Sequence, residues 1–302
     1  MSVDFRTLNA TLQARGARWQ SQESLLTEAP PLVRRRRLGF HPGPNELSLR
    51  NREDLAKAHH QGAAIAGAAL ASAPPLYPPS YDLRDVDGHA FITSIKDQGQ
   101  CGSCVAFGTI AAIEGTYQVA TSNPSSGIDL SEAQLFYCYG GAAGRVCGYH
   151  EESNSGWWPA AALDASESGV GTEASFPYTD QDQTCAGLSP QWETGSMAIT
   201  GWHALNSITD MKVWLATRGP LVTTMSVYDD FYGYKSGIYH YVTGPLIGGH
   251  CVCVVGYDEA QQCWICKNSW RSDWGLAGFF CIGYSECGID ATMYAIEGVK
   301  SL

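Results

Sequence analysis

Two stretches, QGQCGSCVAF and GGHCVCVVGY, hold the side chains best suited to nucleophilic chemistry. Cys104 opens an apolar run whose Val105, Phe107, Ile110, Ala111 and Ile113 predict a buried helix over 104–120, with Ser103 as its N-cap. Positive partial charge at a helix N-terminus favours thiolate over thiol, so the Cys104 pKa is expected below the free-cysteine value of about 8.5. A buried structural cysteine would need no flanking glycine such as Gly102, which lets another backbone approach. A thiolate nucleophile needs a group that holds a proton and later gives it to a leaving amine. Of eight histidines, His250 is best placed, because Gly248 and Gly249 before it leave space beside the ring. Asn268, in KNSW, can offer its side-chain oxygen to His250 Nδ1 without competing for the proton, and Trp270 can shield that bond from water. Gln98 can donate one N–H to a tetrahedral oxyanion, with the Cys104 backbone N–H as the second donor.

The elements that must hold these groups change character along the chain. Of 302 residues, 44% are hydrophobic and 16% charged, which excludes global disorder and coiled coil. No run approaches 18 apolar residues, so no membrane partner is expected. Four prolines within APPLYPPS mark a boundary, with residues 1–76 as an N-terminal arm and 77–302 as the main body. The arm predicts helices over 3–20 and 51–71, joined by an extended, arginine-rich stretch over 29–46. Capping signals place further helices over 131–138, where Ser131 and Gln134 form a capping box, and over 157–168 and 209–218. From 220 onward, LVTTMSV, GIYHY, HCVCVVGY, CWICKNS and GFFCIGY read as five strands of an antiparallel sheet or partly closed barrel. The fold class is α+β: a helical lobe over about 85–192, a β lobe over about 193–302, and a cleft between them.

Charge and cysteine usage narrow the partners. The arm carries ten Lys or Arg against six Asp or Glu, whereas the rest carries nine against 24. Four consecutive arginines, 34–37, sit in the arm, but the acidic body lacks a basic stripe, so no nucleic-acid partner is expected. Eleven cysteines leave at least one unpaired within the chain. Cys101, Cys104, Cys263 and Cys266 imitate a four-cysteine zinc site, yet the second pair lies on a strand and points to opposite faces, so no metal is expected. A thioredoxin role for CGSC would leave GGH and KNSW unexplained.

SIKDQGQCGSCVAFGTIAAIEG, GGHCVCVVGY and CWICKNSWRSDWG, in the order Cys, His, Asn, closely resemble the papain-like, cathepsin-type cysteine peptidases. The likeness runs from YPPSYDLRD to the C-terminus. It implies the papain-like two-lobe fold, with Cys104 as nucleophile, His250 as general acid and base, Asn268 as its orienter and Gln98 as oxyanion donor. It assigns substrate contacts to Gly102, Ser103, Trp270 and Trp274, the last two on the leaving-group side. NSGWWP, residues 154–159, resembles the strip that pairs with substrate backbone, with Ser155 in place of a glycine beside Gly156 and Trp157. Thr224, Gly249, Cys251 and Thr292 would wall the S2 pocket. Val105 stands where the family usually has tryptophan. The resemblance also pairs Cys101 with Cys147 and Cys138 with Cys185, and leaves Cys287 free. Cys251, Cys253, Cys263, Cys266 and Cys281 read as core thiols.

These expectations describe an endopeptidase that needs no cofactor, hydrolyses protein or peptide substrates through a thioester, and is made as a monomeric zymogen. Residues 1–76 would be the inhibitory segment, with residues 34–40 across the cleft, drawn there by opposite charge. A catalytically silent binding module and a thiol amidohydrolase or transamidase are the alternatives. Disulfides indicate a secreted or periplasmic location, whereas the lack of an apolar signal region after Met1 indicates a cytoplasmic one.

Overall fold

The computed structural model describes residues 3–44, 46–69, 76–148 and 155–302. Asn154, part of the linker over 73–80, and residues 70–71 of the expected second arm helix lie outside them. None of the described helices is long and apolar enough to cross a membrane.

The arm folds as more than the two expected helices. Helix α1, Phe5–Ala14, is capped by Asp4 and ends before Gly16, whose φ of 66° stops it short of residue 20. The chain turns there because Trp19 has a better use: strand β1, Trp19–Ser21, pairs antiparallel with β6, Tyr234–Tyr239, and buries the Trp19 ring. A short helix, α2, Leu25–Glu28, precedes the expected extended stretch, which itself begins with another, α3, Pro31–Arg35, started by proline at its first position, where no N–H is needed. Extended chain follows, then α4, Leu49–Ala69.

In the body, α5, Cys104–Ala120, is buried almost throughout. The element after Ser131 is a π-helix, Gln134–Gly140; Ser131 Oγ accepts from the Gln134 N–H at 2.9 Å, but the Gln134 side chain accepts from Gly171, so the capping box is half made. Helix α6, Pro159–Ser166, falls inside its expected span, and α7, Ile208–Thr217, lies one residue earlier than expected. Leu221–Tyr228, Leu246–Asp258, Cys263–Lys267 and Phe279–Gly283 are four of the five expected strands, β5, β7, β8 and β9, and the fifth is β6. The structure adds β2, Ser80–Asp82, β3, Met197–Ile199, β4, Trp202–Leu205, β10, Met293–Ile296, and β11, Val299–Ser301. Among the described residues the main sheet runs β1-β6-β9-β8-β7-β5-β10-β4, with β2 added to β7, while β11 and β3 form a separate pair. One apolar core lies under this sheet and takes in Leu8, Leu12 and Trp19 of the arm; the other surrounds α5 and takes in Phe40. The arm therefore spans both lobes. Disulfides join Cys101 to Cys147 and Cys138 to Cys185, both in the helical lobe.

Candidate active site

Helix α5 places Cys104 at its first residue, and β7 brings His250 and Cys251 alongside, so that the Cys251 N–H points at Cys104 Sγ from 3.4 Å. Ser103 occupies the N-cap position without capping, because its hydroxyl hydrogen-bonds Tyr178 Oη at 2.7 Å. Asn268, one residue past β8, meets the imidazole at Nε2, with Oδ1 2.8 Å away, rather than at the expected Nδ1. That arrangement leaves Nδ1, buried and without a hydrogen-bond partner among the described residues, as the nitrogen available to a thiol. Trp270 lies against the ring at a centroid distance of 4.7 Å and is itself packed on Trp274 and Tyr232.

Ser269, which sequence reasoning passed over although it sits inside KNSW, ties two of these groups together. Its hydroxyl donates to Gln98 Oε1 at 2.7 Å, and its backbone N–H donates to Asn268 Oδ1 at 2.8 Å. With its oxygen held, Gln98 must turn its NH₂ elsewhere, and Nε2 donates to the carbonyls of Cys101, at 2.8 Å, and of Arg37, at 2.9 Å.

Arg37 belongs to the arm. The Phe40 N–H donates to the Gly249 carbonyl at 3.1 Å, the His41 N–H to Trp157 at 3.0 Å, and the Trp157 N–H to Gly39 at 2.8 Å. Gly39 passes so close to Gly102 and Gly156 that a Cβ on it would run into the Gly102 carbonyl. Ser155 Oγ lies 3.5 Å from His41 Nε2. The residues expected to wall the S2 pocket meet the arm as well: the carbonyls of Thr224 and Thr292 accept from Arg52 Nη2 at 3.4 and 3.2 Å, and Gly249 faces the Phe40 ring. Cys251 turns its thiol onto Gly108 of α5. Upstream, Leu26, Val33 and Arg37 line a groove with Trp270 and Trp274. The arm thus runs from the tryptophan side of the cleft to the Ser155–Trp157 side.

This cover reverses the expected electrostatics. Burial pushes the Cys104 thiol up to about 11, and the N–H groups of Cys251 and Gly39 aimed at its sulfur offset only part of that. Burial likewise brings His250 down to about 4, against the hydrogen bond to Asn268, and the Arg37 guanidinium lowers it further. The pair is held as neutral thiol and neutral imidazole. The helix N-terminus does not prevail, because the arm has removed the water that a thiolate needs.

The arm is anchored away from the cleft by Arg34, whose Nη2 reaches Asp229 Oδ1 at 3.2 Å, with only 5% and 2% of the two side chains exposed. Asp229 Oδ2 also accepts from the Val3 N–H at 2.7 Å. Replacing Arg34 with alanine removes this buried ion pair, at a cost of about 3 kcal/mol, and is expected to raise the fraction of displaced arms roughly a hundredfold. Basal peptide hydrolysis by the uncleaved chain measures this; an unchanged rate would contradict the anchoring role.

The family model described as papain family cysteine protease matches residues 77–296. Cathepsin B-like CP3 of Giardia intestinalis is 32% identical over 226 residues, which cover 70% of this chain and 72% of that protein. The thiol protease aleurain of Arabidopsis thaliana is 34% identical over 228 residues, covering 70% and 58%. Among solved structures, proCathepsin B S9 from Trypanosoma congolense shares the fold at a TM-score of 0.73 over 99% of both chains, with 21% identity. A digestive procathepsin L2 proteinase from Tenebrio molitor matches at 0.68 over 97% of this chain and 88% of that one, with 25% identity. The matched segment contains the thiol, the imidazole and the amides that the two lobes bring together, and on that ground the chain belongs to the papain family of cysteine proteases.

Proposed function

We propose that Cys104, His250, Asn268 and Gln98 carry the peptide-bond hydrolysis of this cysteine endopeptidase, and that residues 1–76 keep it latent until they are displaced. With the arm gone, water returns to the cleft and the Cys104 proton passes to His250 Nδ1, giving thiolate and imidazolium. The thiolate attacks the substrate carbonyl carbon, and the oxyanion takes hydrogen bonds from Gln98 Nε2 and the Cys104 backbone N–H. His250 returns the proton to the departing amine, leaving a thioester; it then deprotonates a water that releases the acid and restores Cys104. Asn268 keeps the imidazole turned with Nδ1 toward the sulfur throughout.

The observation that carries this reading is the Arg37 carbonyl on Gln98 Nε2 at 2.9 Å: a peptide oxygen already rests on the proposed oxyanion donor. A substrate whose acyl portion lies along Ser155–Trp157 and whose leaving portion lies under Trp270 and Trp274 runs opposite to the arm. The arm therefore occupies the cleft with its peptide bonds reversed, which supports inhibition without cleavage. The two disulfides support an oxidising, secreted or periplasmic setting.

Acid is expected to release the arm. In the open cleft the proton on His250 comes from Cys104, so opening takes up a proton only once the freed thiolate itself protonates, giving a thiol beside an imidazolium that the covered ring refuses down to about 4. The open form is therefore favoured as pH falls below the pKa of that thiolate, which a histidinium neighbour holds within roughly 3.5 to 7.5. The test follows an internally quenched peptide with the full chain from pH 7 to pH 4. Internal cleavage should appear on the acid side, and latency unchanged down to pH 4 would overturn the coupling.

A further inference from the structure

The helical lobe holds both disulfides, while the β lobe contains a pair of thiols that catalysis does not use. Strands β8 and β9 are antiparallel, with Cys263 opposite Gly283 and Ile265 opposite Cys281. Cys263 and Cys281 are therefore diagonal neighbours on one face, and the glycine opposite Cys263 puts no side chain in its way. The two thiols lie close enough that each shifts the other's titration, Cys263 upward and Cys281 downward. The surroundings of the two differ. Cys263 is buried, whereas Cys281 is partly open to solvent; the other free cysteines among the described residues are buried.

A cation attends Cys281. Arg84 lies over Phe279, the residue two before Cys281, with its guanidinium 5.0 Å from the ring, and is fixed there by Asp82 at 2.6 Å. The neighbouring Cys263 thiol and the Arg84 charge bring the Cys281 thiol below its ordinary range, against its partial burial and the Asp82 and Asp258 carboxylates. The Cys281 backbone is held in turn by its N–H to Tyr234 Oη at 3.1 Å. An accessible sulfur with thiolate character, next to a second thiol that can displace whatever it binds, is the arrangement of a reactive and a resolving cysteine.

We propose that Cys281 and Cys263 form a thiol–disulfide exchange site that reacts with low-molecular-weight disulfides such as oxidised glutathione and closes a cross-strand disulfide in the β lobe. In the first step the Cys281 thiolate attacks one sulfur of oxidised glutathione, forming a mixed disulfide and expelling one glutathione thiolate. Cys263 then loses its proton to solvent and attacks the Cys281 sulfur, expelling the second glutathione. Two protein thiols are oxidised, one glutathione disulfide is reduced, and nothing else is consumed. The bridge closes the open end of the β8–β9 hairpin. At the other end of that hairpin the Asn268 N–H is held by the Gly278 carbonyl at 3.0 Å, so the staple stiffens the support of Asn268.

The folded full-length chain, with its arm in place, is incubated with oxidised glutathione, quenched in acid and digested with pepsin without reductant. Mass spectrometry should find the Cys263 and Cys281 peptides linked, and the treated chain should melt several degrees above the same chain kept without oxidised glutathione. In Cys263→Ala, Cys281 should stop at the glutathione mixed disulfide; in Cys281→Ala, Cys263 should stay unmodified. The proposal is overturned if wild-type Cys281 keeps its free thiol, or if it holds glutathione without linking to Cys263. The wild-type digest decides this alone, whether or not either variant folds.

Discussion

Replacing Cys104 with alanine is expected to abolish peptide hydrolysis, lowering kcat/KM by about 10⁴-fold or more, as removal of a covalent nucleophile does. No other group in the site can take its place. Cys251 is the nearest thiol, but its sulfur is packed on Gly108 and burial raises its pKa well above the ordinary thiol value. The exchange removes one buried sulfur atom next to an arm that fills the cleft, so the variant should fold and keep both disulfides. The measurement is hydrolysis of a fluorogenic peptide after acid treatment, with circular dichroism beside it. Turnover within tenfold of wild type in a folded protein would end the assignment.

Alkylation of Cys104 is expected to separate the covered and open forms almost as widely. A thiol at about 11 leaves about one molecule in 10⁴ as thiolate at pH 7, and the arm also blocks the reagent's approach. Iodoacetamide should therefore label Cys104 in the intact chain at least about 10⁴-fold more slowly than after limited proteolysis of the arm. The pH profiles should differ as well: in the intact chain the rate climbs tenfold per pH unit through the neutral range, whereas in the open form it is already level there. Peptide mapping of Cys104 follows both. Equal rates in the two forms would show that the arm does not set the protonation state of the site.

The residues proposed to carry the chemistry were legible because each stands in a distinctive local setting: a thiol at the head of an apolar run, an imidazole after two glycines, an amide in KNSW. Helix α5 and strands β5 to β9 were legible from periodicity, whereas β2, β3, β4, β10 and β11 are three or four residues long, too short to show a period. Which imidazole nitrogen meets Asn268 depends on the backbone angles of two strands that no local pattern encodes. The role of Ser269 depends on Gln98, 171 positions away. The sign of the Cys104 shift was misjudged for a related reason: the helix end is local, but the segment that dries it comes from residues 37–41. That crossing of the cleft was inferred from charge and likeness, while the close approach that permits it rests on glycines at 39 and 156, one on each side of the contact.

The pairing of β1 with β6 gives activation a cost in longevity. Alongside the ladder at Trp19 to Ser21, the Ile238 N–H donates to Arg18 at 2.9 Å and the Gln22 N–H donates to Gly233 at 2.9 Å. When the arm departs, β6 becomes the rim of the sheet, with unpaired backbone groups and the apolar floor vacated by Trp19 turned to solvent, the kind of border along which protein molecules join to one another. A liberated enzyme at high concentration would meet its own kind at that border, so its working lifetime should shorten as concentration rises, while the zymogen keeps that border covered.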